Sequence, residues 1–314
     1  MNDLDWNGPQ NWVRDGEGPC VSLGGKGAFD DMHVFAPCVA RENGEYRLWY
    51  CGSRGEVADR VFRMGLATSA DGIHFEKHHA SPVLGFPDGR HSILTPTLLR
   101  NLDGTPQREN GRLRMWFAAC DLPSSKPRHT LHESTSEDGL TWTPPSEPLL
   151  ENLYAPTILR EGDTYHMWYT DVTRAPWMFR YAASRDGRSW RVHPEPILVM
   201  DQPWEHGRLF YPTVVKHGDL YLMWYGSYAL ANHEKTSLGF AVSRDRLTWR
   251  KHPANPLFGP DPSRIWESNF ATSQSIMRLP DGSWRIWYAS RTKPPFVHKY
   301  FAIGTARMNG GAGW

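Results

Sequence analysis

A short run built around a tryptophan recurs five times in this chain, and it constrains the fold more than any other feature. In each copy an extended run leads into a Trp that is followed by Tyr or Phe. The copies are 46–50, 113–117, 165–169, 221–225 and 284–288. They follow one another at intervals of about 50 to 70 residues, which is the length of one blade in a radial β-repeat. Such a repeat has a central axis where functional groups converge.

Each copy lies in a unit with room for four strands. Before the Trp run comes a β-rich run that holds a proline in four units, at Pro37, Pro96, Pro156 and Pro212; the fifth, 271–276, has none. Gly-bearing turns join the two runs as hairpins. After the Trp run come a third extended run, a turn of the Ser-x-Asp-Gly-x-x-Trp type and a fourth run. Four strands are typical of a propeller blade.

The termini predict how the repeat closes. After Trp287 the chain supplies one more strand, 301–306, and then a Gly-rich tail. Residues near 11–23 form a turn and a strand with no unit before them. We therefore predict an all-β fold: a five-bladed β-propeller with four-stranded blades in a single domain, 1–314. The N-terminal strand completes the last blade and closes the ring.

Composition indicates which partners and which cellular compartment to expect. With 35 basic and 34 acidic residues, the chain gives no electrostatic reason to expect a nucleic acid or a membrane surface as partner. The four cysteines have no metal-ligand spacing and no dense disulfide pattern, so we expect buried thiols in a reducing compartment. No signal peptide or long apolar run is present, which favours a cytoplasmic location. We expect a monomer or a small homo-oligomer.

Repetition separates scaffold from candidate site. The Ser-x-Asp-Gly-x-x-Trp turn resembles the Asp-box of sialidases, and its regular recurrence favours a structural role, because Ser and Asp cap their own turn. Function is expected where the copies differ. Three units carry an aromatic residue followed by an acid seven residues before the proline or its equivalent, as Phe29-Asp30-Asp31, Trp204-Glu205 and Trp266-Glu267. The alternative is that these acids anchor loops by accepting backbone N–H bonds.

Further candidates lie along the same inner strands and in the loops that leave the Trp strands. The inner-strand set is His33, Arg90, His91, Asn152, Tyr154, His206, Arg208, Tyr211 and Asn269. The loop set is Arg54, Asp121, Asp171, Trp177 and Arg291, for which salt bridges at the rim are the alternative. A single metal ion on the axis is possible, but no ligand spacing predicts one, and no cofactor is required.

The repeat, the inner-strand proline and the Tyr-x-Met-Trp-Tyr hairpin resemble the five-bladed propeller glycosidase superfamily, which includes arabinanases, β-xylosidases, invertases and levanases. The resemblance covers nearly the whole chain and implies hydrolysis of a glycosidic bond by two carboxylates. In invertase-like members acids lie directly before, or two before, the inner-strand proline of the first three blades. Here those positions are occupied by Ala36, Thr95 and Ala155, and by Phe35, Leu94 and Tyr154. The chain is thus an atypical member that lacks the usual acids.

Two functions follow as hypotheses. In the first, a glycosidase uses relocated carboxylates: Asp31 or Asp30 as base, Glu205 as acid and Glu267 to tune them. Tyr154 and Trp177 position the sugar, and arginines at 54, 90, 208 and 291 accept an anionic substituent. In the second, the propeller binds sugar without hydrolysis or acts as a His/Tyr-dependent lyase or isomerase. Two carboxyl groups roughly 5 to 10 Å apart across the mouth favour hydrolysis. A His–Tyr pair, with the acids held in salt bridges, favours the second hypothesis.

Overall fold

The structure, a computed structural model, describes residues 8–292 and 301–309. Within these residues the chain is all-β, with one 3₁₀ turn (Ile265–Glu267) and no α-helix. Two short N-terminal strands, β1 (Trp12–Arg14) and β2 (Val21–Ser22), precede five hairpin-centred units. Unit one comprises β3 (His33–Glu42), β4 (Glu45–Ser53), β5 (Arg63–Ser69) and β6 (Glu76–Lys77). Unit two comprises β7 (Ser92–Leu98), β8 (Leu113–Cys120), β9 (His129–Ser136) and β10 (Leu150–Glu151).

The remaining units repeat this order. Unit three comprises β11 (Leu153–Glu161), β12 (Thr164–Asp171), β13 (Met178–Ser184) and β14 (Arg191–Val192). Unit four comprises β15 (His206–His217), β16 (Leu220–Tyr228), β17 (Thr236–Ser243) and β18 (Arg250–Lys251). Unit five comprises β19 (Phe270–Arg278), β20 (Trp284–Arg291) and β21 (Phe301–Met308). The first strand of each unit, named the inner strand here, is followed by the Trp strand.

Units one, two and three are separate four-stranded antiparallel sheets. Units four and five are joined in one nine-stranded sheet, because Thr236 of β17 bridges Phe270 of β19 in parallel. Both N-terminal strands pair antiparallel with β21, with Trp12 opposite Met308 and Val21 opposite Ile303. The inner strands contact one another in sequence: β3 lies against β7, β7 against β11, β11 against β15, β15 against β19 and β19 against β3.

The repeated tryptophans are the centre of the packing, and all five are fully buried. Each indole N–H donates to a group outside its own unit. Trp49 donates to the Gly139 carbonyl, Trp116 to Gly187, Trp168 to Arg246 and Trp287 to Gly72, in each case a residue of a Ser-x-Asp turn in another unit. Trp224 donates instead to Oε1 of Gln10, at 2.9 Å. The indoles therefore link each unit to the next.

The turns have the structural role predicted for them. In the first, the Ser69 hydroxyl accepts the N–H of Gly72, and the Asp71 carboxylate accepts the N–H groups of Ile73 and His74. The same bonds recur at Asp138, Asp186 and Asp245. Backbone donors stabilise the charged carboxylate, and they lower the pKa of both Asp138 and Asp245 to about 2.

Every inner strand has a bulge at the same place. Its register shifts beside the proline or its equivalent, and the residue there has a left-handed backbone. These residues are Ala36 (φ 53°), Thr95 (48°), Ala155 (50°), Tyr211 (57°) and Ser273 (40°). Four of them have small side chains, whereas the fourth unit has a tyrosine. The left-handed conformation costs a non-glycine residue about 1–2 kcal/mol, and Tyr211 differs from the other four in its side chain, not in its backbone.

All four cysteines are free thiols, and Cys38, Cys51 and Cys120 are buried, as the sequence predicts. Cys20 is partly buried. In the described part of the chain, no helix has the length and apolar character needed to cross a bilayer.

Candidate active site

A cavity of about 610 Å³ lies where the inner strands begin, and all five inner strands contribute to its lining. The loops between the Trp strands and the third strands form its rim. Aromatic side chains make up much of the wall: Phe35, Phe62, Tyr154, Trp177, Phe210, Tyr211, Tyr228 and Phe301. An apolar, aromatic wall with a few polar groups is typical of a small-molecule site.

Two tyrosines from neighbouring inner strands meet in this cavity. The hydroxyls of Tyr154 and Tyr211 are hydrogen-bonded at 2.8 Å. Burial raises the pKa of Tyr154 well above its usual value, and it raises the pKa of Tyr211 to about 12. Both phenols are therefore protonated at neutral pH and can donate a proton.

A histidine stands beside the tyrosine pair. The ring of His129, at the start of β9, meets the ring of Tyr154 edge to face, with centroids 5.4 Å apart. Burial lowers the pKa of His129 to about 4, because a charged imidazole loses its hydration there. The imidazole is neutral at neutral pH, so it can accept a proton from a bound molecule.

Cations dominate the charge of the cavity. Arg60, Arg208 and Arg291 line it, and Glu234 is the one carboxylate among the described lining residues. The guanidinium of Arg208 lies over the Trp177 ring at 4.3 Å, and that of Arg291 lies over Phe270 at 4.1 Å and Phe301 at 5.1 Å. Burial lowers the pKa of Arg291 to about 10, so it remains charged at neutral pH.

His33 completes the other side of the wall. Its Nδ1 is 2.9 Å from the hydroxyl of Ser53, and its ring stacks on Phe62 and meets the edge of Phe301. The aromatic contacts fix the plane of the imidazole. Of the residues predicted for substrate binding, the cavity therefore collects His33, Tyr154, Trp177, Arg208, Tyr211 and Arg291.

The predicted catalytic acids lie elsewhere. Asp30, Glu205 and Glu267 are buried, and none of them lines the cavity. Each accepts a hydrogen bond from the tyrosine that follows the tryptophan of its own unit: Tyr50 at 2.8 Å, Tyr225 at 2.7 Å and Tyr288 at 2.7 Å. The three acids thus bond to the Trp strands of their own units and not to the cavity lining.

Each of these acids also pairs with a cation. Lys77 binds Asp30, Lys251 binds Glu205 at 2.7 Å, and Arg14 binds Glu267 at 2.8 Å. We name the three arrangements acid–tyrosine–cation triads. Burial first and the neighbouring carboxylate second raise the pKa of all three tyrosines far above the usual value. Repetition in three units is typical of a scaffold.

Asp31 does not occupy the position predicted for a catalytic base. It is buried, lies outside the cavity lining, and accepts the backbone N–H groups of Gly27 at 2.8 Å and Gly55 at 3.2 Å. These bonds are the loop anchoring that the sequence offered as the alternative.

The other predicted residues lie outside the cavity lining. Arg90 pairs with Asp121 at 2.7 Å, His91 pairs with Asp88, and Asp171 pairs with Arg180 at 2.6 Å. The ion pairs of Asp121 and Asp171 are the rim salt bridges expected as the alternative. The remaining members of this group are Arg54, Asn152, His206 and Asn269.

Sequence reasoning missed several residues that the cavity contains: Arg60, Phe62, His129, Tyr228, His233 and Glu234. They lie at or near the loops between the Trp strands and the third strands. Those loops are the least repeated parts of the units, so their location could be predicted but not the individual side chains. Tyr228 and His233 stack at 4.4 Å across one such loop.

A second cavity, of about 370 Å³, lies beyond the bulges near the other ends of the inner strands. Prolines 37, 96, 156 and 212 and the side chain of Arg100 line it. Arg100 donates to the carbonyl of Ile276 at 2.7 Å, which ties it to the wall. Over residues 8–292 and 301–309, no group of three or more His, Cys, Asp or Glu is arranged to hold a metal ion.

Comparison with known proteins identifies the fold. No protein-family model matches the chain. An uncharacterized protein of Mycobacterium tuberculosis, MT1551 in strain CDC 1551 and Rv1502 in strain H37Rv, is 23% identical over 239 residues, which are 71% of this chain and 76% of the relative.

Solved structures align over almost the full length. One described as "Glycoside hydrolase" has a TM-score of 0.75 at 17% identity and covers 95% of this chain and 92% of its own length. A member of the GH130 family, described as mannoside phosphorylases that include glycoside hydrolases for β-1,2 mannosidic linkages, has a TM-score of 0.72 at 16% identity over 98% and 95%. An N-acetylgalactosamine deacetylase from F. plautii, solved with blood group B trisaccharide, has a TM-score of 0.71 at 16% identity over 95% and 94%. The chain shares the propeller-like all-β fold of these structures.

Proposed function

We propose that this protein is a carbohydrate-active enzyme and that the aromatic cavity at the start of the inner strands is its reaction centre. The architecture behind this proposal is a five-bladed propeller in one domain, with β1 and β2 completing the fifth blade. The succession of inner-strand contacts and the indole bonds between units support that ring. So does the pairing of both N-terminal strands with β21.

Carbohydrate as the substrate is supported by two independent features. Structures with this fold include proteins described as glycoside hydrolases and mannoside phosphorylases. The cavity offers a ring surface at Trp177 and polar groups at Tyr154 and Arg208, the combination that a sugar needs for stacking and hydrogen bonding. Likeness of fold alone does not fix the reaction, which has to be argued from the side chains.

The reaction type is proposed from one observation, a hydrogen-bonded tyrosine pair beside a neutral histidine. Tyr154 and Tyr211 share a hydrogen bond, and His129 packs against Tyr154. A protonated phenol can serve as general acid and a neutral imidazole as general base at the same pH. We therefore assign proton transfer to His129 and Tyr154, with Tyr211 positioning Tyr154. This is the His/Tyr-dependent chemistry that the sequence left as the second hypothesis.

Hydrolysis by a carboxylate pair has weaker support. It requires two carboxyl groups that face one another across the substrate. Asp30, Glu205 and Glu267 are each held by a tyrosine and a cation, and Asp31 by backbone N–H groups. An anchoring role for all four acids accounts for these bonds without a substrate.

The test is a chromatographic digest of a broad panel of neutral and anionic oligosaccharides. We expect a product with the wild-type protein, and we expect Tyr154→Phe to lower its rate by about 10²- to 10⁴-fold. Glu205→Gln is the matched control and should retain the rate per folded molecule, with the folded fraction measured by circular dichroism. A product that vanishes in Glu205→Gln but survives in Tyr154→Phe would overturn the proposal in favour of a carboxylate mechanism. A cytoplasmic location and a monomeric or small oligomeric state remain predictions from the sequence.

A further inference from the structure

Among the residues that the structure describes, the cations that line the cavity outnumber the carboxylates. Arg208 and Arg291 face one lining carboxylate, Glu234, whose side chain is exposed and is bonded to Asn232 at 2.9 Å. Neither Arg208 nor Arg291 forms an ion pair with a carboxylate anywhere in residues 8–292 or 301–309. Both guanidinium groups lie against aromatic rings instead. A partly buried cation with no paired carboxylate has lost part of its hydration, so this arrangement favours an anionic ligand.

Two buried polar atoms strengthen this argument. Nε of Arg291 and the hydroxyl of Thr272 have no hydrogen-bond partner within the part of the chain that the structure describes. Both residues line the cavity, and they lie on the paired strands β19 and β20. Buried polar groups almost always have a partner, and an unsatisfied one costs about 1–3 kcal/mol. Both atoms are closed to solvent, so a ligand that accepts hydrogen bonds would reach them only after a side-chain movement.

From these observations we infer that Arg208 and Arg291 bind the carboxylate of a hexuronate residue, and that the reaction is β-elimination from a 4-linked uronide. This inference rests on the proposed function and names its substrate class. The planar fork of a guanidinium matches a carboxylate in a bidentate manner. Arg291, Tyr154 and Tyr211 line the same cavity, so a carboxylate bound to Arg291 shares that cavity with the tyrosine pair.

The chemistry of the cavity explains why a carboxylate is favoured over a sulfate or phosphate substituent. A neutral imidazole is too weak a base to remove a proton from an ordinary sugar carbon. A carboxylate attached to C5, with its charge offset by arginine, acidifies the C5 hydrogen because negative charge can spread onto the carboxyl oxygens. A sulfate or phosphate ester offers no such stabilisation at the adjacent carbon.

The elimination balances with groups already present. His129 takes the C5 proton, and the electron pair of that C–H bond forms the C4=C5 double bond. The bond between C4 and the glycosidic oxygen breaks, and the departing oxygen takes the proton of the Tyr154 hydroxyl. Two fragments leave, one of them unsaturated, and a proton passes from the imidazolium to the phenolate through solvent. The reaction consumes no water and no other co-reactant.

Binding is tested first, on the Tyr154→Phe variant, so that turnover does not interfere. Calorimetry would compare a short oligogalacturonate, its carboxyl-reduced counterpart and an O-sulfated neutral oligosaccharide of the same length. We expect the oligogalacturonate alone to bind. Arg208→Gln or Arg291→Gln should weaken that binding by about 10- to 100-fold, the range for loss of a charge-assisted hydrogen bond. Arg250→Gln, an exposed arginine on β18, is the matched control and should bind as before.

Turnover is tested next, with the wild-type protein and the absorbance of the conjugated double bond. A rise in ultraviolet absorbance with the oligogalacturonate supports elimination, and cleavage to a saturated product overturns it. Equal binding of the carboxyl-reduced sugar, or selective binding of the sulfated one, overturns the uronate assignment while leaving a carbohydrate enzyme in place. If Arg291→Gln unfolds, Arg208→Gln and the carboxyl-reduced ligand still decide the matter. Failure to bind or process any oligosaccharide would instead refute the proposed function itself.

Discussion

The triads and the cavity use the same kinds of side chain for different ends. In a triad, Tyr288 donates to Glu267, and Arg14 neutralises the carboxylate. In the cavity, Tyr154 donates to or accepts from another tyrosine, and Arg291 faces aromatic rings without a carboxylate. The first arrangement is closed, since every charge has its partner. The second is open, because donors and cations remain available to a ligand.

Repetition tells the two apart. The acid–tyrosine–cation triad occurs in units one, four and five, whereas unit two has Phe117 where the others have the tyrosine. The tyrosine pair occurs once, and Tyr211 is the one tyrosine among the five bulge residues, all of which have a left-handed backbone. A feature needed to hold a blade together is needed in several blades, while a reaction centre on the axis is needed once. Pairing and copy number together therefore separate scaffold from site.

The largest loss of stability should come from removing the acid of a triad. Glu267 is fully buried, and Glu267→Ala would remove the carboxylate that pairs with Arg14, leaving Arg264 with Glu17 alone. Removing one partner of a buried ion pair costs about 3–5 kcal/mol. We expect a loss of that size in the free energy of unfolding by urea. Turnover per folded molecule should stay at the wild-type value; a selective loss of turnover in a fully folded variant would assign Glu267 to the reaction centre.

The second-largest effect is expected from removing a tyrosine hydroxyl, once in a triad and once in the cavity. Tyr50→Phe removes a hydroxyl that donates to the buried Asp30, a charge-assisted bond whose loss costs about 1.5–3 kcal/mol of stability. Tyr211→Phe removes a hydroxyl bonded only to a neutral phenol, so it should cost less than about 1.5 kcal/mol of stability while lowering kcat. Urea unfolding and steady-state kinetics on both variants give the comparison. The distinction between triad and cavity fails if Tyr50→Phe is the variant that loses turnover.

Much of the fold follows from the sequence because its signals are local and repeated. The spacing of Trp49, Trp116 and Trp168, with a hairpin turn before each, predicts the sheets that the structure contains. The N-terminal pairing with β21 follows from the strand that unit five lacks. Each of these features depends on backbone pattern and chain order, which a single sequence displays.

The site was predictable only in part, because it depends on the direction of side chains. Asp30 and Glu205 stand at the expected distance from their prolines, yet the sequence gives no sign that they turn toward Tyr50 and Tyr225. Tyr211 occupies the one bulge position that is not small, a difference that the aligned repeats already display. His129 and Arg60 belong to loops of unequal length, so no repeat position predicts them.

The dependence of stability on pH should have two separate parts. His129 in the cavity and His166 between units three and four have pKa values lowered to about 4, chiefly by burial. The unfolded chain protonates its histidines near pH 6.5. Stability is therefore present above about pH 6.5 and is lost as the pH falls toward about 4.

The stability contributed by the Ser-x-Asp turns should change over a lower pH range. Asp138 and Asp245 have pKa values of about 2, held down mainly by backbone N–H groups, so their contribution is lost as the pH falls below about 4. Thermal unfolding measured from pH 7 to pH 3 checks both parts, and His129→Gln should reduce the slope between pH 6.5 and 4 without altering the lower range. An unchanged slope in that variant would mean that burial does not suppress protonation of His129.

The smallest effect concerns the closure of the ring. Four of the repeated indoles donate to backbone carbonyls, whereas Trp224 donates to the side chain of Gln10, which also accepts from Trp12 at 3.2 Å. Gln10 thus takes the place that the carbonyl of a Ser-x-Asp turn has for the other four indoles. Gln10→Ala would leave two indole N–H groups unsatisfied and should cost about 1–2 kcal/mol in urea unfolding. Gln107→Ala, which removes an exposed bond to Asn101, is the control and should change stability by less than about 0.5 kcal/mol. Equal stability of the two variants would mean that the Gln10 bonds do not hold the N-terminal segment in place, and the proposed five-bladed closure would have to rest on the pairing with β21 alone.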